Sequence, residues 1–163
     1  MAAEEEIEMT PNDATHWREF EKNILSHSMA HYLMAIDRLR DELGYARGTD
    51  VAEMLEVSRG AASMALSQLK KRGWVGEDPN RFLLLTDEGR RITGLVEKNF
   101  VILSQFFERV LGADSDHAFA DACKMEHLMS METGARLTFL MQYLLGDDDL
   151  AVQIREKMKE FDR

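Results

Sequence analysis

One cysteine, Cys123, is all the chain has, so no disulfide can close within it. That fits a reducing compartment and leaves a thiol available for chemistry. Proline is almost as scarce, with two in 163 residues, and there are only ten glycines. So little turn and breaker chemistry argues for helix-rich structure. No apolar run approaches the roughly 20 residues that a membrane-spanning helix needs, so no membrane partner is expected. Nor does the start carry the positive charge of a secretory signal, since it reads Met-Ala-Ala-Glu-Glu-Glu. A cytoplasmic protein is the expectation. Basic residues are also in deficit overall, and a formal net charge of −10 excludes wholesale coating of nucleic acid.

What positive charge there is stands together. Between Arg59 and Arg81 lie Arg59, Lys70, Lys71, Arg72 and Arg81 against only Glu77 and Asp78, whereas the first 26 residues carry Glu4, Glu5, Glu6, Glu8, Asp13, Glu19 and Glu21 against Arg18 and Lys22. An acidic protein with one basic patch can still hold a phosphate backbone there. The apolar fraction of 45% is ordinary for a globular chain, and the length suits one large domain or two small ones.

Residues 1–12 are polar and read as a disordered acidic tail. From Asn12 or Asp13 an apolar period of about 3.6 runs through Trp17, Phe20, Ile24, Leu25, Met29, Leu33, Ile36, Leu39 and Leu43. This is one long helix, or two with a break near Ser26–Ser28, and Gly44 suits its C-terminal cap. His27 and His31 lie one turn apart on it. Such an i, i+4 pair is a metal clip in some helices and two unrelated residues in more. Thr49 is read as the N-cap of a short helix over Asp50–Leu55 and Ser58 as the cap of the next, which runs from Arg59 to about Arg72 and ends at Gly73. Ala62, Leu66 and Leu69 face inward on the second of these helices. Two short helices around a tight turn are the pattern of a helix-turn-helix. Trp74-Val75 and Phe82–Leu85, separated by Glu-Asp-Pro-Asn, add a β-hairpin and complete a winged helix.

Thr86-Asp-Glu-Gly starts a long amphipathic helix reaching about Leu111, with Ile92, Leu95, Leu103, Phe106 and Val110 inward. Gly112 breaks it. Asp114 or Ser115 caps the next helix, Ser130 caps another through Leu145, and Asp147-Asp-Asp opens a last one ending near Phe161. The expected fold is mainly α: an N-terminal winged helix-turn-helix with a small hairpin wing, residues 13–90, then an all-helical second domain, residues 91–163. On the third helix Ser58, Arg59, Ser63, Met64 and, further along, Gln68 are placed to contact DNA, with Arg59, Lys70, Lys71, Arg72 and wing Arg81 placed mainly to hold phosphates. Gripping successive major grooves of a two-fold double-stranded operator takes two copies, so a homodimer is expected.

The most informative stretch is Asp121-Ala-Cys-Lys-Met-Glu-His-Leu-Met-Ser130. Without Pro or Gly it should be helical, which puts Cys123, Glu126 and His127 at i, i+3 and i+4 on one face. A thiolate, a carboxylate and an imidazole converging in this way are the donor set of a divalent transition metal. The bland alternative is a buried structural cysteine beside a solvated Glu-His pair.

The order of several local strings carries a resemblance. Tyr32-Leu33-x-x-Ile36-x-x-Leu39 precedes the helix-turn-helix Asp50–Ser58; Leu69-x-x-x-Gly73-x-Val75, Leu85-Thr86-x-x-Gly89 and Val110-Leu111-Gly112 follow; the run from Asp121 to Glu132 with Arg136-Leu137 closes the set. Together, over roughly residues 27–140, they resemble the diphtheria toxin repressor family of iron- and manganese-responsive transcription regulators, in a two-domain form whose chain ends before a third, SH3-like domain. The resemblance implies a dimeric repressor in which a divalent metal links the winged helix to the helical second domain. Carried over by position, the second-domain ligands fall on Cys123, Glu126 and His127, the first-helix ligand on His31, and the place of a further carboxylate in manganese-type members on Met34. The family's ancillary metal site falls on Phe100, Ser104 and Phe119, so that site is expected to be lost. Gly60-Ala61 stands where the family commonly has Pro-Thr, so no operator sequence can be carried over.

Cysteine and histidine suit Fe2+, Co2+, Ni2+ or Zn2+ better than Mn2+. Iron is the first expectation, as a common effector in the resembled family and because Met34 replaces a carboxylate. The thiolate fits a zinc or redox sensor as well. Eleven methionines do not argue for copper, since most take core positions where Met fills gaps. A winged-helix regulator sensing a small molecule, redox state or a partner protein without metal is the alternative, and it would leave Cys123 as plain core. An enzyme is disfavoured, because no nucleophile-base pairing or Gly-rich phosphate loop stands elsewhere, and no small-molecule substrate is expected.

Overall fold

The computed structural model describes residues 25–146 and 148–161. The acidic tail at 1–12 and the helical period through Trp17, Phe20 and Ile24 fall outside the described residues. Helix α1 (His27–Leu43) begins where Ser26 Oγ accepts from the Met29 N–H at 3.3 Å and ends at Gly44, whose φ of 79° lets its N–H reach back to the Arg40 carbonyl. Ser26 is therefore where the described helix starts, inside the range expected for a break. The buried face of α1 is Ala30, Tyr32, Leu33, Ala35, Ile36 and Leu39; of the expected inward stripe Leu33, Ile36 and Leu39 are buried, Met29 is half-buried and Leu43, at the helix end, is exposed.

Helix α2 (Gly48–Met54) starts two residues before the expected position. Thr49 does not cap it, because its hydroxyl donates to Asp50 Oδ1; the Asp50 carboxylate instead accepts from the Arg47 N–H at 3.3 Å, capping from inside the first turn. Helix α3 (Arg59–Lys71) is capped by Ser58 Oγ accepting from the Ala61 N–H at 3.1 Å, and it buries Ala62, Leu66 and Leu69. Strands β1 (Val75–Glu77) and β2 (Leu83–Leu85) pair antiparallel with Val75 opposite Leu85 and Glu77 opposite Leu83. The Leu83 N–H also donates to the Ala46 carbonyl at 2.8 Å, tying the wing to the chain before α2. Leu33, Ile36, Val51, Leu66, Leu69, Val75 and Leu85 form the core of this winged helix-turn-helix.

Helix α4 (Asp87–Gln105) is sewn to that core at its first turn. Thr86 Oγ1 accepts from the Gly89 N–H at 3.1 Å and donates to the Gly73 carbonyl at 2.7 Å. Gly89 lies so close to the wing that a Cβ there would fall 2.1 Å from the Trp74 carbonyl oxygen. The long helix does not run unbroken to Leu111. Its last stretch, Phe106–Val110, widens into a π turn in which the Leu111 N–H reaches the Phe106 carbonyl, and Gly112 at φ 74° ends it. Helices α5 (Ser115–Met125), α6 (Met131–Gly146) and α7 (Asp148–Phe161) follow. Asp114 caps α5, accepting from the Asp116 and His117 N–H groups. A second, smaller core gathers Ile102, Val110 and Met141, with Phe106, Leu137, Leu144 and Ile154 packed around it. No helix among the described residues is long and apolar enough to cross a membrane.

Candidate metal centre and DNA-facing surface

Helix α5 stops sooner than its composition suggests, and the reason is one buried amide. Asn99 lies on the inner face of α4, 1% exposed, and its Nδ2 donates to the carbonyls of Glu126 and Met129, both at 2.8 Å. Those carbonyls are taken out of helical pairing, so the chain turns over residues 126–129. Cys123 is thus on the last turn of α5, Glu126 is its C-cap and His127 stands in the turn beyond, rather than all three on one helix face. Asn99 was invisible as a functional residue in the sequence; the only signal is a polar residue inside an apolar helical stripe. Removing it should orphan a buried carbonyl and a half-buried one. Asn99→Ala is therefore expected to cost about 2–3 kcal/mol in urea unfolding and to weaken metal binding as well, because the turn that aims Glu126 loosens.

The turn carries its side chains onto α1. Cys123 Sγ stands 3.3 Å from His31 Nε2 although the two residues are 92 apart in sequence. Glu126 is 1% exposed, and its Oε1 is buried with no hydrogen-bond partner. One ligand atom from each of His27, His31, Cys123 and Glu126 lies within 4.8 Å of all the others. The His27 and His31 rings meet edge to face with centroids 4.4 Å apart. His127 stands beside this group, its ring centroid 5.3 Å from that of His27. Met34 is half-buried one turn after His31. At the positions expected to have lost an ancillary site, Phe100 and Phe119 stack edge to face at 4.8 Å, and the Ser104 hydroxyl donates to the Phe100 carbonyl.

Burial sets the protonation of this cluster. It pushes the Glu126 carboxyl up to about 7 and raises the Cys123 thiol, the nearby Glu126 carboxylate adding to the second effect. It lowers His31, helped by His27, and lowers His127, helped by His27 and His31. Two acids that hold their protons thus face imidazoles that shed theirs. A buried carboxylate oxygen without a donor is a costly arrangement unless a cation completes it. The donors fit a divalent transition metal, which would displace the protons of Cys123 and Glu126 and find lone pairs ready on the imidazoles.

On the other side of the winged helix, Ser58, Arg59, Ser63, Met64, Gln68, Lys70, Lys71, Arg72 and Arg81 are all exposed. Two are partly engaged: the Lys70 ammonium pairs with Glu77 on β1, and the Arg72 guanidinium sits 5.2 Å above the Trp74 ring. At the wing tip the Asp78 carboxylate accepts from the Asn80 and Phe82 N–H groups at 2.9 Å, and Arg81 takes a left-handed φ of 65°. A non-glycine residue held there costs about 1 kcal/mol or more, so the turn that presents Arg81 is strongly determined. Between α3 and the wing runs a cleft of about 630 Å³ whose basic lining includes Arg59, Lys70, Arg81 and a residue the sequence reading missed, Arg47. Its guanidinium lies 5.1 Å over Tyr45 and 5.2 Å over Phe82, which aims it without neutralising it.

Two family profiles cover most of the chain. Residues 24–83 match the sequence profile of the iron dependent repressor, N-terminal DNA binding domain, and residues 86–149 that of the iron dependent repressor, metal binding and dimerisation domain. The HTH-type transcriptional regulator MntR of Shouchella clausii (strain KSM-K16) is 31% identical over 135 residues, 83% of this chain and 94% of that protein. Its namesake in Bacillus pumilus (strain SAFR-032) is 30% identical over 133 residues, 82% of this chain and 92% of that protein. Among solved structures, the manganese regulator SloR superposes with a TM-score of 0.63 at 23% identity over 71% of this chain, and T. acidophilum IdeR with 0.59 at 22% over 77%. The chain spans about half the length of these two, 54% and 57%, and they share its fold.

Proposed function

Because the chain belongs to the diphtheria toxin repressor family of metal-dependent transcription regulators, we propose that its divalent metal is held between α1 and the end of α5, and that this link sets its grip on DNA. The protein is a DNA-binding regulator rather than an enzyme. The observation that carries the site is the meeting of His31 Nε2 and Cys123 Sγ at 3.3 Å beside the unpartnered Glu126 Oε1. These three are the central ligands, and one of the two imidazoles standing over them, His27 or His127, takes the next position. The thiolate and imidazoles favour Fe2+, with Co2+, Ni2+ and Zn2+ close behind and Mn2+ disfavoured.

The mechanism is geometric. His31 belongs to the helix at the centre of the winged-helix core, while Cys123 and Glu126 belong to the second domain. Closing the coordination sphere fixes the angle between them, and in a homodimer that angle sets the separation of the two α3 helices. Coupling of this kind typically amounts to about 1–3 kcal/mol. The dimer partner has an uncovered apolar face available on α5 and α6, where Phe119, Met131, Phe139, Leu140 and Tyr143 are exposed. Metal analysis of protein purified without chelators, then DNA binding with and without the metal found, tests the proposal. Equal affinity in the two conditions would remove the switch.

The DNA face has its own test. Arg59→Ala, Arg81→Ala and Arg47→Ala are each expected to weaken binding to any duplex, specific or not, and to lessen the salt slope by about 1. Unchanged affinity and salt dependence in all three would mean that α3 and the wing do not face the duplex.

A further inference from the structure

We propose that the acidic stretch of residues 1–13 docks in the basic cleft between α3 and the wing when DNA is absent, so that the chain competes with its own duplex. The inference rests on reading that cleft as the DNA-facing surface and concerns what fills it otherwise.

The charge of the cleft is unbalanced. Its described lining holds Arg47, Arg59, Lys70 and Arg81 against one acid, Glu77. Glu77 is already paired with Lys70, while Arg47, Arg59 and Arg81 stand in no ion pair among the described residues. In a chain with a formal net charge of −10, this is where a polyanion is drawn. The matching anion lies in the same sequence. Residues 1–13 carry Glu4, Glu5, Glu6, Glu8 and Asp13 with no lysine or arginine. Residues 14–24 carry Arg18 and Lys22 against Glu19 and Glu21, so a neutral strap separates the acids from α1.

The strap is long enough. The cleft lies at the far end of α1 from Leu25, because Arg47 follows soon after Gly44 and the Leu83 N–H ties the wing to the Ala46 carbonyl. The 17 residues of α1 span roughly 25 Å. Residues 14–24, extended at about 3.3 Å each, cover roughly 36 Å. A segment tethered in this way faces the cleft at an effective concentration of about 1 mM. Contacts too weak to hold a separate peptide therefore still fill it. A duplex, with about one charge per 1.7 Å of axis, displaces the acids. The competition weakens every duplex by the same factor, so non-specific DNA loses occupancy first while a tight operator stays filled.

The test compares the full chain with a variant carrying Glu4→Gln, Glu5→Gln, Glu6→Gln and Glu8→Gln together. Without DNA, neutralising the acids should shift the amide NMR signals of Gly48, Ser63, Ser67 and Arg81, which line the cleft. Affinity for a random-sequence duplex should rise by about 3–10-fold at low salt. The gain should fade toward 1 M salt, where the Debye length is about 3 Å. Arg81→Ala should cost less affinity in the parent than in the glutamine variant, since in the parent it also loosens the acids. Unmoved cleft amides would overturn the proposal. A gain in affinity without those shifts would overturn it too, as the acids would then repel DNA from a distance. So would shifts on α5 and α6 instead, which would place the segment on the second domain. Cleft shifts with no change in duplex affinity, from the glutamines or from Arg59→Ala, would keep the docking and overturn the DNA-facing reading.

Discussion

Glu126→Gln should remove the fall in stability with rising pH that Glu126 gives the metal-free protein, and should lower metal affinity by about 100-fold or more. The Glu126 carboxyl is buried and its pKa is pushed up to about 7, from an ordinary value of 4.5. The folded chain therefore holds a proton that the unfolded chain releases, and the stability this proton confers is complete below pH 4.5. It is lost as pH rises through 7. Because one pKa unit corresponds to about 1.36 kcal/mol, the metal-free wild type should lose up to about 3 kcal/mol across that interval. Glutamine keeps the shape and carries no proton to lose, so the variant should lack this fall, keep only the rise that the lowered His31 and His127 give through the histidine range, and be more stable than wild type at pH 8. With metal present the order inverts. The ion replaces the proton, and wild-type affinity should climb about tenfold per pH unit for each proton displaced, up to two with Cys123. Urea unfolding from pH 5 to 8, with and without metal, gives both curves. A variant whose metal-free pH profile matches the parent's, and that binds metal as the parent does, would mean that Glu126 is neither strained nor a ligand.

Gly89→Ala should be the most damaging single methyl in the described chain. A Cβ at that position would lie 2.1 Å from the Trp74 carbonyl oxygen and 3.0 Å from its carbon, and both are backbone atoms that cannot rotate away. The only relief is to slide the first turn of α4 off the wing. That motion would also break the Thr86 bonds to the Gly73 carbonyl and the Gly89 N–H. An overpacked core site typically costs about 1–3 kcal/mol, and the lost cap adds about 1 more. A drop of roughly 3 kcal/mol or more in unfolding free energy is expected. The loss should come with weaker metal-dependent DNA binding, since α4 is the element both cores share. Gly94→Ala on the same helix meets no atom within 4 Å and serves as the control, where no loss is expected. Equal stability of the two variants would mean that the α4–wing contact is looser than these distances state.

Local chemistry was readable in the residue string, and distant pairing was not. Ser58, Thr86 and Asp114 announce their helices because a cap acts on an amide two or three positions away. Thr49 misled because a neighbouring aspartate outcompeted it for the same task, which only the orientation of both side chains decides. Asn99 could not be found from spacing, since the carbonyls it holds are 27 and 30 residues farther on. Cys123 and Glu126 drew attention by their chemistry and His27 and His31 by their one-turn spacing, yet nothing in either spacing joined the two pairs; His31 was linked to Cys123 only through family likeness. The π turn at Phe106–Val110 is a difference of one carbonyl's partner, below what an apolar period can resolve.

Helix α4 also sets the mechanical scale of any switch. Its 19 residues make a rod roughly 28 Å long. Tilting such a rod by about 5° at one end moves the other by about 2.4 Å, whereas a hydrogen bond to a base edge tolerates only a few tenths of an ångström. A rotation too small to disturb either core would therefore carry a recognition helix out of register with its groove. The ion need not drive a large motion. It is enough that it narrows an angular fluctuation to a few degrees, so the expected signature of loading is a sharper distribution of inter-helix distances in the dimer more than a shift in their mean.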